Sequence, residues 1–188
     1  MELILFLAGA YFIGNFLTAH ILMKLFRKRS INSQGSGNPG ARNIGRLYGK
    51  KAFLITFLGD ALKGSLVILV GRMLEFTEIE LLFGLILAVI GHIKPIFFRF
   101  KGGKGVSTFI GGIITFEPLL AIVIVSGFFI IYPFTKSFTI SGLGAFCLIP
   151  LTVSYLYQSM ELMWTLVVLI IIIILAHSEN LIKKFRHT

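Results

Sequence analysis

A chain of 188 residues with 56% hydrophobic residues and a mean hydropathy of +0.90 is too apolar for an ordinary soluble domain. Its formal net charge of +10 would suit a nucleic-acid binder, but the basic residues flank apolar runs and no groove-reading module accompanies them, so nucleic acid is set aside as a partner. The single cysteine, Cys147, lies in an apolar stretch and rules out a disulfide framework or a cysteine-type zinc site.

Seven apolar runs follow in order, at 3–23, 52–70, 81–98, 106–116, 119–134, 140–157 and 162–176, and together they predict one all-α integral membrane domain over residues 1–188. The first reads as a retained helix and not as a signal peptide, because Glu2 occupies its leading end and the basic cluster Lys24, Arg27, Lys28 and Arg29 follows it. The fourth is too short to cross a full hydrocarbon core, which predicts a tilted, broken or re-entrant segment. With seven crossings, the Lys and Arg residues of 24–51, 94–104 and 183–186 fall on one side, and Glu2, Glu75, Glu78, Glu80, Glu117 and Glu161 on the other. The positive-inside rule then puts the N-terminus outside and the C-terminus in the cytoplasm.

Three Gly-rich basic segments interrupt the apolar pattern. In Gly35-Ser-Gly-Asn-Pro-Gly-Ala-Arg-Asn43, Ser36, Asn38 and Asn43 offer neutral hydrogen bonds, while Arg42 and the nearby Arg46 offer planar forks for phosphate oxygens. Such a set fits a small phosphorylated polyol. In Gly59-Asp-Ala-Leu-Lys-Gly64, Lys63 would lie roughly 20 Å along a helix begun at Lys50, which is deep in a bilayer. Asp60 stands i, i+3 from it, so the two can pair, either as a structural ion pair or as part of a pocket wall with Gly64 and His92. In the third segment, Lys101-Gly-Gly-Lys-Gly105 runs straight into a helical stretch at Val106, so free amides and two ammonium groups make an anion site. The spacing is not that of a nucleotide-binding P-loop. Lys94 and Arg99 have the plainer reading of snorkelling residues, and Asn15, His20 and His92 that of interhelical hydrogen-bonding groups.

Asp60 is the only aspartate, so a multi-Asp metal site of the CDP-alcohol phosphotransferase kind cannot be built, and no His-x4-Asp pair of the glycerolipid acyltransferase kind occurs. A reaction without metal or cofactor, driven by placed cations and amides, remains.

These segments together resemble the PlsY-type, acyl-phosphate-dependent glycerol-3-phosphate acyltransferases of bacterial membranes. The carrying elements are Ser36-Gly-Asn-Pro-Gly-Ala-Arg-Asn43, Asp60 to Gly64, Gly91 to Val106, and a His-x-x-Asn element at His177 to Asn180. The resemblance implies a seven-helix enzyme of the plasma membrane, its site facing the cytoplasm. It would transfer a fatty acyl group from acyl phosphate to the 1-hydroxyl of glycerol 3-phosphate, with an upstream acyl-phosphate-forming enzyme as a partner. It further implies that Ser36, Asn38, Arg42, Asn43, Arg46, Lys104, His177 and Asn180 hold glycerol phosphate. Lys101, Gly102, Gly103, Ser107, Thr139 and Ser141 would shape the acyl-phosphate site, and His177, Lys104 and Ser36 would act in catalysis. The general base is left between His177 and the glycerol phosphate itself.

Departures from the pattern are Arg42 where Thr is usual, Asn15-Phe16-Leu17 where Ser-Ile-Pro is common, Thr139 for a usual Ser, and Ala176 where Arg commonly precedes the His. A transporter or flippase for a phosphorylated lipid or metabolite is the competing reading, although no paired half-repeats are visible. A non-catalytic lipid-binding protein is a third.

Overall fold

The computed structural model describes residues 1–26 and 30–185, with side chains as far as Ser178. Arg27, Lys28 and Arg29 lie outside the described residues, as does the side chain of Asn180. The described chain is helical without strands: α1 (Glu2–Asn15), α2 (Thr18–Leu25), α3 (Ala41–Met73), α4 (Glu78–Ile93), α5 (Val106–Phe116), α6 (Leu119–Thr135), α7 (Phe138–Phe146), α8 (Ile149–Tyr157) and α9 (Met160–Phe185). The runs at 52–70, 106–116, 119–134 and 162–176 each lie within one helix, so the fourth is short but unbroken, whereas those at 3–23, 81–98 and 140–157 are interrupted at Phe16–Leu17, Lys94–Pro95 and Cys147–Leu148. By length and composition four segments can cross a membrane, Ala41–Met73, Glu78–Phe98, Phe138–Tyr157 and Met160–Ser178, with a fifth where the bent pair α1 and α2 is counted as one broken span. Helices α5 and α6 are shorter apolar helices.

The break between α1 and α2 is neither a proline nor a glycine kink. Phe16 and Leu17 are extended, and the two helices bend by 43°. Ending a helix in an apolar setting leaves carbonyls and amides without partners. The Asp60–Lys63 pair on α3 supplies them. Lys63 Nζ donates to the carbonyls of Gly14 (3.1 Å) and Phe16 (2.6 Å), while Asp60 Oδ1 accepts from the Thr18 amide (3.3 Å) and hydroxyl (3.0 Å). The cation meets the C-terminal end of α1 and the carboxylate the N-terminal end of α2, the favourable sense for both helix dipoles.

Helix α3 is two helices merged across Gly49, whose φ of 86° and ψ of 179° are open to glycine but strained for other residues. Its first part presents Arg42 and Arg46, and its second part carries the apolar run. Helix α4 starts with a capping box, Thr77 accepting from the Glu80 amide while Glu80 accepts from that of Thr77.

The main core joins Ile68 of α3, Leu82, Leu85 and Val89 of α4, Phe109 and Ile113 of α5, and Leu166, Leu169 and Ile173 of α9. The closest packing is that of α3 on α5 and of α1 on α4. Both contacts rest on small residues, which let backbones approach: Gly64 against the Thr108 carbonyl, Gly111 against the Ala61 carbonyl, and Gly14 against the Ala88 carbonyl. Large apolar side chains such as Leu62, Leu66, Phe129, Ile130 and Phe134 stay exposed, forming a lipid-facing exterior.

Candidate active site

The loop before α3 is folded back on itself by Asn43. This buried side chain accepts from the Ser36 amide (3.0 Å) and donates to the Gln34 carbonyl (3.1 Å), and Tyr48 adds a hydrogen bond to the Gln34 side chain at 2.5 Å. The loop so held, the first turns of α3, the start of α5, the inner face of α7 and the end of α9 enclose a cavity of about 430 Å³. Polar groups on its wall include Ser36, Asn38, Arg42, Arg46, Lys104, Ser107, Thr139 and His177. Phe53, Phe57, Ile110, Phe138, Leu143 and Phe146 provide an apolar wall, and Asp60 and His92 also line it.

A second cavity, of about 660 Å³, is lined by Lys94, Lys101, Gly102 and Gly103 together with Ile90, Ile93, Ile172 and Leu175. Ser36, Asn38 and Lys104 border both cavities. The residues expected to form one acyl-phosphate site are therefore divided: Ser107 and Thr139 face the first cavity, whereas Lys101, Gly102 and Gly103 face the second. The Gly102–Gly103 stretch is pressed onto the end of α4. The Gly103 amide donates to the His92 carbonyl at 3.0 Å, and a Cβ on Gly103 would strike the His92 ring.

His92 is in turn fixed from behind. Its Nδ1 accepts from Lys63 Nζ at 2.9 Å and lies 3.3 Å from Thr108 Oγ1, and Lys63 pairs with Asp60 at 3.2 Å. His177 is oriented by its own helix. Its Nδ1 lies 2.8 Å from the Ile173 carbonyl, which can only accept, so Nδ1 carries a proton and Nε2 is the atom left to accept one. Arg42 Nη1 donates to Thr139 Oγ1 at 2.8 Å, and the guanidinium stands over the Phe138 ring at 5.6 Å.

Several expected site residues serve other ends. Ser141 is buried and shares a 2.7 Å hydrogen bond with Thr135, tying the end of α6 to α7, and lines neither cavity. Gly64 lines neither, because its missing side chain is what brings α5 against α3. Lys63 stands behind Asp60 and His92 instead of in the wall. Asn43 reaches the first cavity, but its amide is spent on the loop. Asn15 acts as an interhelical group: its Oδ1 accepts from the Ile96 amide at 2.5 Å, linking the end of α1 to the turn before Lys101. The apolar wall residues were not singled out from the sequence. α7 is hydrophobic nearly all round, so no pattern marks the face turned inward. Among the described residues no group of three or more His, Cys, Asp or Glu side chains could hold a metal.

A family model described as glycerol-3-phosphate acyltransferase matches residues 4–187. The chain belongs to the glycerol-3-phosphate acyltransferase family. The resemblance drawn from its motifs is therefore correct. Among curated relatives, "Glycerol-3-phosphate acyltransferase 1" of Bacillus thuringiensis subsp. konkukian (strain 97-27) is 46% identical over 171 residues, covering 91% of this chain and 93% of that protein. The protein of the same name from Desulfitobacterium hafniense (strain Y51) is 40% identical, covering 92% and 86%. The fold is similar to the crystal structure of PlsY (YgiH), an integral membrane glycerol 3-phosphate acyltransferase, in its glycerol 3-phosphate form. That match has a TM-score of 0.89 and 27% identity, covering 100% of this chain and 94% of the other. The lysophosphatidic acid form gives a TM-score of 0.88. Family membership makes the chain a multi-pass membrane protein of acyltransferase type.

Proposed function

We propose that this chain transfers a fatty acyl group from acyl phosphate to the 1-hydroxyl of glycerol 3-phosphate, releasing lysophosphatidic acid and inorganic phosphate, as the first acylation of phospholipid synthesis. The observation that carries the reading is a single cavity in which cationic and amide groups adjoin an apolar wall, with Lys104 on the border of a second cation-lined cavity. Both substrates carry a phosphate, and bringing two such anions together in a poorly solvated site is unfavourable unless fixed cations offset the repulsion.

In this mechanism Ser36, Asn38, Arg46, Lys104 and His177 hold glycerol phosphate, with Asn180 as a further candidate. Its 1-hydroxyl oxygen attacks the acyl carbonyl carbon, the carbon–oxygen bond to the donor phosphate breaks, and phosphate leaves with the bonding pair. The hydroxyl proton passes either to His177 Nε2 or to the glycerol phosphate. An acyl phosphate is already activated, so no acyl-enzyme is needed. Lys104, bordering both cavities, is suited to neutralise the two phosphates at once, and Ser107, in the first turn of α5 on the wall of the first cavity, offers its amide to the departing one. The chain acts as one transmembrane domain in the bacterial plasma membrane, with seven crossings, the N-terminus outside and the site open to the cytoplasm.

The test is product formation by purified protein in lipid or mild detergent, given glycerol 3-phosphate with palmitoyl phosphate or, in parallel, palmitoyl-CoA. Lysophosphatidic acid and free phosphate from the acyl phosphate alone are expected. Folded protein that makes no product from palmitoyl phosphate, or that uses palmitoyl-CoA equally well, refutes the donor assignment.

A further inference from the structure

Arg42 stands at the junction of the polar and apolar parts of the first cavity. It lies in the first turn of α3, yet its guanidinium bonds Thr139 and covers Phe138, the two residues that begin α7. The following turns of α7 give Gly142, Leu143 and Phe146 to the same cavity wall. An acyl phosphate is an apolar chain ending in an anion. A chain laid along that wall brings its phosphate to the start of α7, where the guanidinium already is. Glycerol 3-phosphate is polar throughout, and seating it against Phe138 would strip its hydroxyls of water without return.

We propose that Arg42 is a ligand for the donor's phosphate and sets the affinity of this chain for acyl phosphate, an inference that rests on the acyl-transfer reading of the cavity. Thr139 takes one of the five N–H donors of the guanidinium. The fork is planar and held in place by Phe138, so engaging two phosphate oxygens costs little further ordering. A threonine at this position would be too short to reach the start of α7 and would carry no charge. Arg42 thereby moves from the glycerol phosphate group, where the motif puts it, to the donor group.

Steady-state kinetics with palmitoyl phosphate and glycerol 3-phosphate varied independently test this in wild type, Arg42→Thr and Arg42→Lys, with thermal melting to confirm folding. Arg42→Thr should raise KM for palmitoyl phosphate roughly 10- to 100-fold, the loss expected for a charge-assisted hydrogen bond, while KM for glycerol 3-phosphate holds. Arg42→Lys should recover part of the donor affinity, since it keeps the charge but not the fork. Should Arg42→Thr fail to fold, Arg42→Lys carries the same test, with only the donor KM raised. An unchanged donor KM, or a rise in both constants together as a mere strap between helices would give, overturns the assignment while the acyl-transfer reading stands. Wild type that makes no product from palmitoyl phosphate overturns that reading, and this inference with it.

Discussion

Replacing Lys63 by methionine tests the network beneath the site, because it removes the ammonium while keeping most of the side-chain volume. Lys63 is 6% exposed and contacts the Gly14 and Phe16 carbonyls, Asp60 and His92. Breaking a buried ion pair from one side costs about 3–5 kcal/mol, since the other charge stays buried without its partner. Each hydrogen bond lost to a carbonyl between transmembrane helices adds about 0.6–1.7 kcal/mol. The total, about 4–8 kcal/mol, rivals the entire stability of many folds, about 5–15 kcal/mol. Lys63→Met should therefore melt far below wild type in detergent, followed by the fluorescence of the single tryptophan, Trp164. The double variant Asp60→Asn/Lys63→Met should recover much of the loss, because it leaves no buried carboxylate. A single variant as stable as wild type, or a double variant no better than the single, refutes the account of a charge pair that closes the break between α1 and α2.

Lys104→Ala should lower kcat/KM by at least about 100-fold if the ammonium serves both phosphates, while folded protein remains in the membrane; near-normal turnover refutes that role. Gly103→Ala puts a Cβ into the His92 ring and must lift the loop from α4, so turnover should fall sharply in a protein that still folds, and wild-type kinetics would show that the loop has no fixed seat. Orientation is checked in a Cys147→Ser background. A membrane-impermeant maleimide should label Glu75→Cys from outside intact cells but not Lys50→Cys, and the reverse pattern overturns the proposed topology.

The motif residues were legible because each carries its chemistry in its own type. The group at Ser36, Asn38, Arg46, Lys104 and His177 does converge on one cavity. Harder to read was which motif residues face a ligand and which hold the frame. Asn43, Ser141, Gly64 and Lys63 look like site residues in sequence, but their partners are Gln34, Thr135, Thr108 and the end of α1, up to 49 residues away. Local sequence cannot distinguish a hydrogen bond given to the backbone from one given to a substrate.

Composition and apolar run length settled that this is a helical membrane protein, because burying backbone in lipid leaves few alternatives to the helix. The spacing of Gly, Ser, Asn, Lys and His settled its family. Only the tertiary structure decided that one cavity joins cations to an apolar wall while a second takes Lys101, and that Arg42 reaches across to α7. The reason is physical. Helices that are apolar on every side carry no period that names their inner face, so small-residue contacts such as Gly64 on Thr108 and long-range polar bonds such as Lys63 to Gly14 set how they turn toward one another.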